Sequence, residues 1–221
     1  MAGPQYSMSV ALARFCLTLF ARWRVEGKEA VLPQGPLLVV SNHLSNADPP
    51  VLMASLSRRL NILAKRELFH FKPASLLLYS IGAFPVNPSR DVAAIRWAMD
   101  SLNHDRALLA FPEGSRSPNA RLQQGKPGVG YLALHTQAPI LPVAITGTEK
   151  IPGYWRVAFP FCPINVSIGQ PFTLPAIDGK LTSQLLQHLT DMIMQRIADL
   201  LPPEYRGYYG AANGERVSEN V

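Results

Sequence analysis

Short apolar runs at 37–41, 61–65, 83–87, 107–111, 140–146 and 164–168 alternate along this chain with stretches of helical pattern at 49–58, 73–80, 90–103, 126–136 and 181–200. Runs of that length, closed by turn residues, read as strands, and the longer periodic stretches read as helices. A chain that alternates in this way has few places to bury its apolar faces. The expected class is α/β, a mixed sheet flanked by helices. In open sheets of this kind the chemistry gathers in the turns that leave the carboxyl ends of the strands.

Two such turns carry reactive side chains. The run Pro36–Val40 feeds into Ser41-Asn42-His43-Leu44-Ser45-Asn46-Ala47-Asp48-Pro49-Pro50. Histidine is the side chain suited to accept a proton near neutral pH, and a carboxylate on its far nitrogen would orient it. Asp48, placed before Pro49, also reads as an N-cap for the next helix. The run Ala107–Ala110 leads into Phe111-Pro112-Glu113-Gly114-Ser115-Arg116-Ser117-Pro118. A loop with an acid, a glycine, a hydroxyl and an arginine in four positions can bind phosphate. It can equally be a polar turn with an internal Glu–Arg pair. It is not a Walker loop, and Gly125-Lys126-Pro127-Gly128 does not make one. Three further stretches stand at strand ends: Lys65-Arg66-Glu67-Leu68, Gly82 to Arg90, and Ala138 to Gly147. The prolines of the last predict an edge or bent strand.

The first residues show helical spacing. Met8, Leu12, Phe15, Leu19 and Trp23 share one face, with Ser7, Arg14, Thr18 and Arg22 opposite. The apolar part is too short, with Arg14 inside it, to span a bilayer, and no positive residue precedes it as in a signal peptide. Two readings remain: an amphipathic helix in the membrane interface, or one packed on the domain. The expected organisation is an N-terminal helix and anchor over 1–28, an α/β domain over 29–206, and a polar tail over 207–221. In the last helix, Leu181, Leu185, Leu189, Met192, Arg196 and Leu200 form the expected core stripe, with Leu186, Ile193 and Ile197 beside it.

Composition narrows the partners. Charged residues are 16% of the chain, against about 25% in ordinary soluble domains, while the net charge is +6. A basic, charge-poor chain without a basic run or a nucleic-acid motif points to a membrane surface and an anionic ligand, not nucleic acid. Cys16 and Cys162 read as buried thiols in a reducing compartment. The five histidines are dispersed, none at metal-ligand spacing.

Four stretches in order resemble the glycerolipid acyltransferase family, on its 1-acylglycerol-3-phosphate acyltransferase branch. Asn42 to Asp48 looks like the N-H-x-x-x-x-D block, and Lys65 through Val86 looks like the Lys-x-Glu-Leu and Gly-x-x-Pro-Val region. Phe111 to Ser117 looks like F-P-E-G-[TS]-R-S, and Pro139 to Gly147 looks like the proline-centred strand. The resemblance implies a glycerol-3-phosphate acyltransferase-like fold, with His43 as general base and Asp48 as its partner. Glu113, Gly114 and Ser115 would help place the acceptor. Arg116 and Lys65 would hold its phosphate, with Arg90 a further candidate because Pro88 stands where the family carries an arginine. The implied reaction moves a fatty acyl group from acyl-CoA or acyl-carrier protein to lysophosphatidic acid, giving phosphatidic acid. It needs no cofactor and no metal, and would occur at the cytoplasmic face of the cell membrane. Pro88 keeps other acceptors open, namely a lyso-ornithine lipid, another lysophospholipid or a glycolipid. A non-catalytic lipid-binding module is the remaining alternative, and it would have no need of a base at His43.

Overall fold

The computed structural model describes residues 3–86, 92–151, 156, 158–177 and 181–210. Asn87, Pro88 and Arg90 lie outside them, as does the segment from 211 onward.

The elements in chain order are α1 (Pro4–Phe20), β1 (Arg22–Glu26), β2 (Leu37–Ser41), α2 (Asp48–Ser55), β3 (Leu60–Lys65), α3 (Lys72–Ser80), β4 (Ala83–Val86), α4 (Val92–Asn103), β5 (Ala107–Ala110), α5 (Gly128–Thr136), β6 (Ile140–Thr146), β7 (Pro163–Ile168) and α6 (Ser183–Leu200). The strands form one seven-stranded sheet in the order β1-β7-β6-β2-β5-β3-β4. Only β6 and β7 run antiparallel; every other pair is parallel. The sheet is therefore mixed and flanked by helices, as expected.

Period-two alternation sorts the core into two layers. Leu37 and Val39 of β2 pack with Leu109, Leu141 and Val143 against α1 and α2, through Tyr6, Leu17, Val51 and Leu52. Leu38 and Val40 face the other way, onto Ala98 and Leu102 of α4, Leu132 of α5, and Ile193 and Ile197 of α6. All five residues of β2 are buried, as befits a parallel strand covered on both faces.

The structure departs from several of these expectations. The N-terminal helix stops at Phe20, because Ala21 turns to extended backbone. Arg22–Glu26 is then an edge strand paired with β7, so the last part of the 1–28 segment joins the sheet. Its R-W-R-V-E sequence alternates charged residues outward with Trp23 and Val25 inward, and the helical stripe running up to Trp23 hides that period. The prolines of β6 do not put it at an edge; it lies between β7 and β2. Pro142 still gives its carbonyl to the N–H of Gly169, one step beyond the last antiparallel pair, Val143 and Ile168. Its missing N–H thus falls where the ladder has ended.

The core stripe of α6 is centred on Leu189, Ile193 and Ile197, while Met192 is exposed. The helix begins at Ser183, with the Thr182 hydroxyl capping the N–H of Leu185 at 3.1 Å. Cys162 is a buried thiol but Cys16 is only half-buried. The polar tail does not start at 207 either. Gly207–Tyr209 forms a turn, and the Tyr209 hydroxyl donates to Asp191 Oδ1 at 2.6 Å and accepts from the N–H of Gly125 at 3.1 Å. Burial and that carboxylate push the phenol well above its ordinary range.

The helix α1 docks through its mixed face. Tyr6 and Leu17 are buried, and Arg14 Nε donates to the Ala54 carbonyl at the end of α2 at 2.8 Å. Met8, Leu12, Phe15 and Leu19 point outward, each 59–69% exposed. Neither expectation fits unchanged: the helix does pack on the domain, yet its apolar stripe is left uncovered.

Candidate active site

Strands β2, β5 and β6 are adjacent and parallel, so the loops leaving their carboxyl ends meet at one edge of the sheet. The first loop is fixed at its root by Asn42. Its side-chain amide donates to the Ile145 carbonyl at 2.9 Å and accepts the Ile145 N–H at 2.8 Å. A side chain thus extends the β2–β6 ladder by one rung, immediately before His43.

His43 Nδ1 lies 2.7 Å from Asp48 Oδ2. The same oxygen accepts the N–H groups of Leu44 and Ser45 at 2.6 and 2.8 Å. An oxygen serving as acceptor to two peptides leaves Nδ1 as the donor, so Nε2 holds the lone pair. Asp48 is fully buried, and the His43 side chain is 17% exposed. Phe111 stacks on the imidazole, with ring centroids 4.1 Å apart at 19°. The ring is thus held on one nitrogen and one face, while Nε2 has no hydrogen-bond partner among the described residues.

Asp48 does not cap α2 with its side chain, as its position before Pro49 led one to expect. Ala47 is the N-cap residue and has no side-chain cap. The second oxygen of Asp48 instead accepts the Thr148 hydroxyl at 2.5 Å, from the turn that follows β6.

The Phe111–Ser117 loop grips His43 through its backbone. Glu113 Oε1 accepts the His43 N–H at 2.8 Å, and the Ser117 N–H donates to the His43 carbonyl at 2.7 Å. Glu113 Oε2 takes the Gln123 N–H at 3.0 Å. Both oxygens of this buried carboxylate are thus occupied within the protein. Its side chain ties two loops together, and it makes no ion pair with Arg116. Burial raises its pKa above the ordinary carboxylate value, against the opposing pull of these hydrogen bonds.

Gly114, Ser115 and Arg116 are exposed beside it. Gly114 has φ +69°, and a Cβ there would stand 2.8 Å from Lys126 Nζ, so the lysine lies across the loop. Lys65 is exposed at the carboxyl end of β3, which pairs with β5. Among the described residues neither Lys65 nor Arg116 makes an ion pair. The structure thus joins His43, Asp48 and Glu113 directly and leaves Lys65 and Arg116 as cations at the ends of neighbouring strands. Arg90 is outside the described residues. No group of three or more His, Cys, Asp or Glu side chains stands at metal-binding distance among the described residues.

Sequence reasoning missed Thr148, Phe111 as a stacking partner, and the amide bridge of Asn42. Asn42 and Phe111 stood inside the quoted blocks; Thr148 had no local signal.

The acyltransferase family model matches residues 22–146, more than half of the chain, from the start of β1 to the end of β6. The chain belongs to the acyltransferase family. The chain is 34% identical over 126 residues to 1-acyl-sn-glycerol-3-phosphate acyltransferase beta of Homo sapiens, a stretch covering 55% of this chain and 45% of the relative. It is 28% identical over 173 residues to 1-acyl-sn-glycerol-3-phosphate acyltransferase of Cocos nucifera, covering 75% of this chain and 54% of that one. The chain spans about half the length of these curated relatives. The crystal structure of the 1-acyl-sn-glycerophosphate (LPA) acyltransferase from Thermotoga maritima shares the fold, with a TM-score of 0.72 at 23% identity over 88% of this chain and 79% of that one. The helix α1, and everything after Thr146, lie outside the matched stretch.

Proposed function

We propose that this acyltransferase moves a fatty acyl group from acyl-CoA or acyl-carrier protein to the free hydroxyl of 1-acyl-glycerol-3-phosphate, giving phosphatidic acid. The observation that carries the reading is His43, anchored through Nδ1 by a buried carboxylate, with Nε2 unbonded among the described residues. The relatives named above, 1-acyl-sn-glycerol-3-phosphate acyltransferases, supply the substrate class.

The chemistry is short. Nε2 takes the proton of the acceptor hydroxyl as that oxygen attacks the thioester carbonyl. The tetrahedral adduct collapses, the C–S bond breaks, and the thiolate takes the proton from the imidazolium. The thioester is already activated, so no enzyme-bound acyl group is required. General-base action of this kind contributes about 10²- to 10⁴-fold, with positioning and charge stabilisation supplying the rest. Arg116 and Lys65 are the cations for the acceptor phosphate, and Arg90 a further one.

A lysophosphatidic acid stays in the bilayer surface, so the enzyme has to work there. The uncovered stripe of Met8, Leu12, Phe15 and Leu19 supports a membrane-interface role for α1 at the cytoplasmic face. Phe20 extends that patch, with its ring 4.9 Å from Phe159 and 5.5 Å from Phe161, both exposed. Among the described residues no helix is long and apolar enough to cross a membrane. A second reading keeps the chemistry and changes the acceptor, since Pro88 occupies the place of a family arginine.

The test is a mass-spectrometric acyl-transfer assay on vesicles. It offers lysophosphatidic acid, lyso-ornithine lipid and other lysolipids with acyl-CoA and with acyl-carrier protein, and includes His43→Ala. Phosphatidic acid as the dominant product, lost in His43→Ala, is expected. Preferred acylation of a phosphate-free acceptor would move the assignment to the second reading.

A further inference from the structure

Asp48 is gripped at both oxygens, and only one grip is local. Oδ2 collects His43 Nδ1 and two peptide N–H groups from its own turn. These hold one oxygen in place but leave the carboxylate free to pivot about it. Oδ1 is held by Thr148, a hundred residues further along the chain and fully buried. We propose that Thr148 is a positioning residue of the acyl-transfer reaction: its hydroxyl sets the plane of the Asp48 carboxylate, and through it the tautomer and aim of His43. The proposal rests on the reading of His43 as the base.

Three observations carry it. First, the other buried serine and threonine hydroxyls that donate do so locally: Ser55 and Thr190 to the carbonyl four residues back in their own helix, Ser41 and Ser117 to carbonyls one and four residues on. Thr148 instead spends its single hydrogen on a carboxylate from another loop. Second, the turn that presents it is rigidly seated. Gly147 has φ +94°, and a Cβ there would fall 1.9 Å from the Pro163 carbonyl oxygen, so the backbone lies directly on β7. Glu149 closes the turn by accepting the Gly147 N–H at 2.9 Å, and its other oxygen accepts the Tyr205 hydroxyl at 2.9 Å. Third, water does not compete: Asp48 and Thr148 are both wholly buried, so without the hydroxyl Oδ1 would have no donor among the described residues. Thr148 also lies two residues beyond the matched stretch of the family, which therefore assigns it no role.

The reaction is measured on lysophosphatidic acid vesicles with acyl-CoA, using the full chain and the variants Thr148→Val, Thr148→Ser, His43→Ala and the double variant His43→Ala/Thr148→Val. Thr148→Val keeps the shape and removes the hydroxyl. Its kcat is expected to fall by about 10- to 100-fold, the size found for partners behind metal-ligating histidines, with KM for both substrates unchanged. Thr148→Ser should restore most of kcat. In the His43→Ala background, Thr148→Val should remove nothing further, because a hydroxyl that acts through His43 has nothing left to act on. Wild-type kcat in Thr148→Val, failure of Thr148→Ser to restore it, or the same fractional loss with and without His43 would each overturn the proposal. If Thr148→Val does not fold, Thr148→Cys carries the test. Its weaker donor should give a kcat well below that of Thr148→Ser, and equality would overturn the idea. Turnover surviving in His43→Ala would instead bring down the base reading itself.

Discussion

Glu113 and His43 are joined carboxylate to peptide: Oε1 of the buried acid accepts the His43 N–H at 2.8 Å. With the Ser117 N–H on the His43 carbonyl at 2.7 Å, the peptide groups flanking this histidine are clamped by a loop seventy residues away. A charge is buried here to fix a backbone, and that has measurable consequences.

Glu113→Gln replaces an acceptor pair with one acceptor and one donor. Its NH₂ must face either the His43 or the Gln123 N–H, so one buried donor loses its partner. A loss of about 1–3 kcal/mol in unfolding free energy is expected, with a drop in kcat. The pH dependence has a definite sign. The folded pKa of Glu113 is raised above 4.5, so between 4.5 and that higher value the folded protein binds the proton more tightly than the unfolded chain. Glu113 therefore contributes stability at low pH that is lost as pH rises through this window. Thermal melts from pH 4.5 upward should show a downward component in the wild type that is missing in Glu113→Gln.

His43→Ala should lower kcat by at least about 10²-fold with little change in melting temperature, because the ring is partly exposed and its neighbours are held through backbone. Turnover near wild type in the purified variant would remove the mechanism. Asp48→Asn should be both less active and less stable. With its oxygen kept on the Leu44 and Ser45 N–H groups, its NH₂ faces the Thr148 hydroxyl, which must then accept instead of donate and leaves its own hydrogen without an acceptor, while the charge beside His43 is gone.

Arg116→Ala should raise KM for lysophosphatidic acid and leave a phosphate-free acceptor nearly unaffected, because the guanidinium is exposed and makes no ion pair among the described residues. The comparison is of kcat/KM on the two acceptors. Equal losses on both would argue against a phosphate contact.

The two faces of α1 should separate by mutation. Leu12→Glu with Phe15→Glu should leave the melting temperature intact and release the protein from sedimenting vesicles. Arg14→Ala should do the reverse. It strips a charged donor from the carbonyls of Ala54 and Leu56, at about 1.5–3 kcal/mol for such bonds. Vesicle binding unchanged in the Leu12/Phe15 variant would end the interface role proposed for α1.

How far the chain could be read depended on the range of each interaction. The His43–Asp48 contact spans five residues in one turn, a weak pattern by its spacing alone that gained meaning from its resemblance to a family block. Glu113 stood in a recognisable loop, but its partner was a peptide N–H, and a peptide group has no sequence signature. Thr148 meets Asp48 across a hundred residues, and one threonine after a strand carries no local mark. The edge strand β1 was hidden because Trp23 satisfies both the helical stripe before it and the period of two within Arg22–Glu26.

The amino-acid order alone determined what repeats locally: the alternation of apolar runs and helical stretches, and with it an α/β sheet with polar turns at its strand ends. Periods of 2 and 3.6 are properties of the backbone and can be read without knowing the neighbours. Tertiary structure decided what depends on neighbours. It set Pro142 in an interior strand, where its missing N–H faces the end of a ladder. It turned the mixed face of α1 inward, because the free carbonyls of Ala54 and Leu56 needed the donors of Arg14. It also carried Thr148 to Asp48, since only the parallel pairing of β2 with β6 brings their two following loops to the same edge.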